Sequence, residues 1–195
     1  MKIISNKIEA IKELKRIADR TNLENNNKIN TIVEEILNEV RNHGDTAVQK
    51  YTEKFDGFNP NPMQVSENDL KNAWDEIDRN LKRSLEIAQK RIKKFHEKEI
   101  PSSFTIKGKH GDTVQRRWRP VKNAGIYIPG GRAAYPSTVL MNAIPATVAG
   151  VEEIIMVSPG NKEGKINKTV LAAAHLSGIN KVFRIGGAQA IGALA

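Results

Sequence analysis

Two glycine-bearing turns carry the residue types best suited to holding a ligand. Pro129-Gly130-Gly131 follows the apolar run Gly125-Ile126-Tyr127-Ile128, and Gly186-Gly187-Ala188-Gln189 follows Lys181–Ile185. Each reads as a strand, a turn and the start of a helix. In a parallel sheet both turns fall at the carboxyl ends of the strands, where ligands are usually held. Glycine there lets backbone donors come close, and a helix N-terminus favours an anion. Tyr127 and Gln189 are the polar side chains nearest the two turns. Tyr127 offers stacking or a hydrogen bond, and Gln189 offers both a donor and an acceptor. Neither turn matches G-x-G-x-x-G or a P-loop. Double glycines also close turns in sheets that hold no ligand. A lone tyrosine here equally suits a core or interface, and a lone glutamine a helix start.

The remaining reactive side chains form no set. His43, His96, His110 and His175 stand far apart, without H-E-x-x-H or comparable ligand spacing, and read as structural or solvated. No serine stands in G-x-S-x-G. The absence of cysteine removes disulfides, thiolate metal sites and a cysteine nucleophile from this chain, and fits a cytoplasmic location.

The elements that must position the two turns come in two blocks. The first is helical. Ile8, Ile11, Leu14 and Ile17 recur at helical spacing over residues 6–20, with Ser5 or Asn6 as cap. Asn25-Asn26-Asn27 reads as a break. A second helix follows over 28–42, with Ile29, Ile32, Val33, Ile36, Leu37 and Val40 on one face and Gly44 as its stop. Asp45 is the expected cap of a third helix, which carries Ala47, Val48, Tyr51 and Phe55 and ends at Asp56-Gly57. Ser66 to Asp69 resembles a capping box opening a helix with Leu70, Ala73, Trp74 and Ile77 inward. Leu81, Leu85, Ala88, Ile92 and Phe95 define another over 79–97.

After Pro101 the period changes. Residues 103–107 and 113–119 predict a hairpin, ended by Pro120. Strands over 124–128, 153–157 and 181–185 then alternate with helices after each glycine turn. Pro145 is expected to kink or divide the first of those helices near Ile144. This order predicts an α/β protein: a helical layer, a β-hairpin and a Rossmann-like parallel sheet, incomplete at its C-terminus. The segments divide as an N-terminal helical arm (1–22), the opening of a first α/β domain (23–123) and most of a second (124–195).

The chain has 195 residues, with 39% hydrophobic and 27% charged, an ordinary globular balance. No apolar run approaches the roughly 20 residues of a membrane span, and the N-terminus has no apolar core of a signal peptide. The net charge of +9 gathers at Lys82–Lys98 and Arg116–Lys122. In the first, cations alternate with helical apolar positions, as on a solvated face. The second, Arg116-Arg117-Trp118-Arg119, keeps open an alternative reading as a basic nucleic-acid-binding module, or as a structural, dimer-forming domain. The last residues, Ala190 to Ala195, lie inside an apolar helical pattern, and the expectation is a truncated chain.

Two long motifs then resemble one family. Tyr127-Ile128-Pro129-Gly130-Gly131 with Tyr135-Pro136-Ser137-Thr138-Val139-Leu140-Met141-Asn142-Ala143-Ile144-Pro145-Ala146, and Ile185 to Ala195, look like histidinol dehydrogenase. Tyr51 to Gly57 and Arg119-Pro120 fit its earlier landmarks, while Gly192 stands where alanine is commoner. The resemblance implies a zinc-dependent homodimeric enzyme of histidine biosynthesis that acts on neither nucleic acid nor membrane. It would oxidise L-histidinol to L-histidine with two NAD, through a bound aldehyde. It implies that Tyr127 and Gln189 contact NAD. It also implies that the catalytic glutamate–histidine pair and the zinc ligands lie beyond Ala195, so that no catalytic or metal-binding residue is expected in this chain and the chain alone is inactive. The implied fold interleaves two α/β domains.

Overall fold

A computed structural model describes residues 4–18, 23–130 and 134–195. Its architecture is α/β: five helices, an antiparallel hairpin, then strands and helices in alternation.

Helix α1 (Lys7–Ala18) opens under Asn6, whose Oδ1 accepts the backbone N–H groups of Ile8 and Glu9 at 2.9 and 3.3 Å. Ile8, Ile11, Leu14 and Ile17 are all exposed. The stretch 19–20 of the predicted first helix lies outside the described residues. Helix α2 (Leu23–His43) runs straight through Asn25-Asn26-Asn27, so the expected break is absent. Asparagine costs a helix well under about 1 kcal/mol per residue, too little to stop one that continues into a buried face. That face is narrower than its pattern: Ile36 and Val40 are buried, whereas Ile29, Ile32 and Leu37 are exposed. The buried positions lie in the C-terminal half of α2, which packs against α3 and α8.

Gly44 adopts φ 54° and donates its N–H to Val40 O, ending α2; helix α3 (Asp45–Asp56) starts at the next residue. Asp45 is therefore the first helical residue and not the cap. The cap position falls to Gly44, which has no side chain to accept a bond, and Asp45 contributes through its charge at the positive end of the helix dipole. Ala47, Val48 and Tyr51 are buried, while Phe55 is exposed and stacks on Tyr51 at 5.8 Å.

Helix α4 (Glu67–Glu76) is capped as its sequence predicts: Ser66 Oγ accepts from Asp69 N at 3.1 Å and donates to Asp69 Oδ2 at 2.8 Å. Helix α5 (Arg79–His96) is capped by Asp78 and buries Leu85, but Phe95 is exposed at the end of its stripe, beyond the elements that cover it.

Strands β1 (Phe104–Lys107) and β2 (Thr113–Arg116) form the hairpin, with every residue of both exposed. The second arm stops at Arg116, short of Arg119, and Trp118 N–H goes instead to Ser103 Oγ at 2.9 Å.

The main sheet has strand order β3-β4-β5, all parallel, from β3 (Asn123–Tyr127), β4 (Glu153–Val157) and β5 (Lys181–Phe183). Helices α6 (Pro136–Ala149), α7 (Lys168–Leu176) and α8 (Gly187–Leu194) follow the strands in turn. Pro145 sits inside α6 without dividing it. It deprives the carbonyl of Met141 of its helical donor, and Met141 lies on the exposed side, where water can replace the bond. An upstream segment closes the far edge of β5: Val65 N donates to Val182 O at 2.8 Å and Arg184 N to Met63 O at 2.9 Å.

Strand alternation sorts the core onto two faces. Ile126, Ile128, Met156 and Val182 join a cluster with α4, α5, α6 and α7. Tyr127, Val157, Phe183 and Ile185 face α2, α3 and α8. Both faces are covered, as a parallel sheet requires.

Candidate functional site

The two glycine turns meet at one end of the sheet. Tyr127 is the last residue of β3, and its register partner Val157 is the last of β4. The Tyr127 hydroxyl accepts the N–H of Gly187, the first residue of α8, at 3.1 Å. Tyr127 is half-buried on the α2–α3–α8 face and retains its own O–H as a donor.

Gln189 lies on the first turn of α8 and is only 1% exposed. Neither Nε2 nor Oε1 of its amide has a protein partner. Buried polar groups are nearly always satisfied, and an orphaned one costs about 1–3 kcal/mol. Such a group beside a glycine turn suits a ligand amide or hydroxyl. Gly187 has φ 64°, and a Cβ there would stand 2.6 Å from Gln189 Oε1. The turn thus needs glycine twice, for its left-handed backbone and for its closeness to the amide. Gly131 of the other turn lies outside the described residues.

A third loop joins these two. Pro159 follows β4, and a Cβ at Gly130 would stand 2.5 Å from its Cγ, while a Cβ at Gly186 would stand 2.7 Å from its Cβ. As sequence alone, Ser158-Pro159-Gly160-Asn161 reads as an ordinary turn. Its position after the central strand of an alternating pattern was the signal that it would share the edge with the other two.

Elsewhere the candidates are dispersed. His96 Nδ1 pairs with Glu99 Oε2 at 2.5 Å and His43 stands 3.7 Å from Glu39 Oε2, while the His175 ring lies 6.4 Å from that of Trp74. Among the described residues no three or more histidine, aspartate or glutamate side chains gather where a metal ion could be held. The basic run at the hairpin is partly engaged: Arg116 stacks over Trp118 at 4.7 Å and Arg117 Nε donates to Gln115 Oε1 at 2.9 Å. A cavity of about 410 Å³ lies at the foot of the hairpin, lined by His96, Trp118 and Pro145 among others. Neither Tyr127 nor Gln189 lines it, so cavity size does not mark the sheet edge. Among the described residues no helix is long and apolar enough to cross a membrane.

Comparison with known proteins points to one family. A protein of Prochlorococcus marinus (strain MIT 9312) named histidinol dehydrogenase is 85% identical over all 195 residues, which cover 44% of its own length. One of Aquifex aeolicus with the same name is 52% identical over 84% of this chain and 37% of its own. The crystal structure of histidinol dehydrogenase from Elizabethkingia anophelis superposes with a TM-score of 0.80 at 36% identity, over 85% of this chain and 38% of that one. The chain therefore spans less than half the length of these relatives. The family model described as histidinol dehydrogenase matches residues 19–195, and with the helical layer, the parallel sheet and the paired glycine turns in place, the chain belongs to the histidinol dehydrogenase family.

Proposed function

We propose that this chain forms one wall of an NAD site in an enzyme that oxidises L-histidinol to L-histidine through L-histidinaldehyde. The single observation that supports this most is the Gln189 amide, buried and without a protein partner, at the turn whose Gly187 N–H is held by the Tyr127 hydroxyl. NAD, when bound, supplies the hydride acceptor. The chain's own residues bind and orient it. Gln189 offers one donor and one acceptor, and Tyr127 donates its hydroxyl proton while Gly187 N–H holds the oxygen in place. The helix that begins at Gly187 adds a weak positive field for an anionic cofactor.

Zinc, which the family resemblance implies, finds no ligand cluster among the described residues. The chain is cytoplasmic in this reading and pairs with a second copy; by the family resemblance, proton transfer and metal binding fall outside the described residues, which do not turn over substrate alone.

Two measurements test this. NAD added to the chain should perturb the environment of Tyr127, read by NMR on labelled tyrosine, and the perturbation should be lost in Gln189→Ala. L-histidinol with NAD and zinc should give no NADH. An unperturbed Tyr127 at saturating NAD removes the cofactor wall; steady NADH production removes the division of labour.

A further inference from the structure

We infer that Pro159 is a spacer that fixes the gap between the two glycine turns and so positions Tyr127 and Gln189; its bearing on cofactor binding rests on the NAD reading above. The sheet's hydrogen bonding runs past the strand ends to this residue and stops there. Ile128 N donates to Val157 O at 2.9 Å, and Ser158 N to Phe183 O at 3.1 Å. Pro159 has no N–H with which to extend the ladder. Its ring, with φ fixed and no rotamers, fills the opening between the flanking loops.

Both loops press bare α-carbons against it. A Cβ at Gly130 would meet Pro159 Cγ at 2.5 Å and its carbonyl oxygen at 3.2 Å. A Cβ at Gly186 would meet Pro159 Cβ at 2.7 Å, Cγ at 3.1 Å and Cδ at 3.3 Å. Backbone conformation does not explain either glycine. Gly186 has φ −140°, and Gly130 is not among the glycines with positive φ. Glycine at 130 and 186 is thus required by the proline rather than by the backbone. The 3.1 Å contact from Gly187 to Tyr127 depends on the same separation of the turns.

The atoms involved give an asymmetric test. In this chain, Gly130→Ala and Gly186→Ala should each lower the unfolding midpoint and weaken NAD binding about tenfold, the size of a contact coupling. Pro159→Ala removes Cγ and Cδ but keeps Cβ. It should rescue Gly130→Ala to within about threefold of the Pro159→Ala single variant, and leave Gly186→Ala unrescued. Pro159→Gly should rescue both. A Gly186→Ala chain that does not fold, but folds again with Pro159→Gly, gives the same support. Additive effects, or equal rescue of both glycine variants by Pro159→Ala, overturn the spacer. If the unsubstituted chain binds no NAD, the cofactor reading falls, and the unfolding cycle alone decides the role of Pro159. If folding is rescued while affinity is not, Pro159 packs the loops without positioning the site, and the inference fails.

Discussion

The hydroxyl of Tyr127, at the end of the first parallel strand, accepts the backbone N–H of Gly187 at 3.1 Å, joining two turns 60 residues apart. One aromatic side chain thereby closes the sheet edge on which the cofactor reading depends. Tyr127→Phe removes this acceptor and leaves the ring packed. Because Gly187 is exposed, water can satisfy its N–H, so the loss in stability should be about 0.5–1 kcal/mol. NAD affinity should fall as well. Chemical denaturation and an NAD titration measure the two effects, and an unchanged affinity would remove Tyr127 from the site.

Gln189 predicts the opposite sign for stability. Its amide is buried and unpartnered, so Gln189→Met, of similar length, should stabilise the unliganded chain by about 1 kcal/mol. For a chain of this size that raises the melting temperature by about 2–4 °C. Cofactor binding should be lost in the same variant. Gain of stability with loss of function marks a residue kept for its ligand. A destabilised Gln189→Met chain would show that the amide already has its partners.

Asp56, the last residue of α3, has a carboxyl whose pKa is raised by burial, and its Oδ2 has no partner. The folded state therefore favours the protonated form. The penalty is present at neutral pH and is relieved as pH falls through the raised value toward the ordinary carboxylate range. Asp56→Asn should be the more stable chain at pH 7. Partial exposure and solvent screening hold the gain to about 0.5 kcal/mol, and the negative end of the helix dipole acts in the same direction. Thermal unfolding from neutral to acid pH should show the advantage vanish below about pH 4, and an advantage that grows in acid would contradict the burial account.

Gly192, inside α8, predicts a mild gain on replacement by alanine. Alanine recovers about 1 kcal/mol of helix propensity. Its Cβ would stand 3.0 Å from Leu37 Cδ2, the free end of an exposed side chain that can yield. A net gain of about 0.5 kcal/mol is expected for Gly192→Ala. Gly125→Ala is the contrast. Its Cβ would stand 2.9 Å from Leu194 Cδ1 between a strand and the helix packed on it, so a loss of about 1–3 kcal/mol is expected. Paired denaturation curves compare the two, and equal effects would show that the neighbours do not decide the sign.

Much of this was legible in the residues because local rules suffice for it. Ser66 and Asp69 announce their cap, the strand over 153–157 is apolar and bounded by turns, and glycines at 57 and 178 stop their helices with left-handed backbones. Tyr127 and Gln189 were reachable as the polar residues nearest two turns. What pattern could not supply was contact across the sequence. Nothing local shows that Ile29 and Phe95 lie beyond the reach of covering elements, or that Arg116 ends its strand because Ser103 takes the N–H of Trp118. The closeness of Gly130 and Gly186 to one proline ring is equally invisible until the strands are aligned. Asn25 to Asn27 misled because a break was inferred from three weak propensities, each smaller than the pull of the buried half of α2.

The antiparallel segment Met63–Val65 along β5 has a consequence for the order of events during synthesis. Its partner, Val182, leaves the ribosome roughly 120 residues later, a delay of about 6–24 s at 5–20 residues per second. Once α5 has been made, and until β3 to β5 follow, the apolar stripes of α2 to α5 exist without the sheet that covers them. The early helices can form, but their burial must wait until the strands from Asn123 to Phe183 have been made. The nascent protein is thus most exposed to misassociation while its helical layer is complete and its parallel sheet is not.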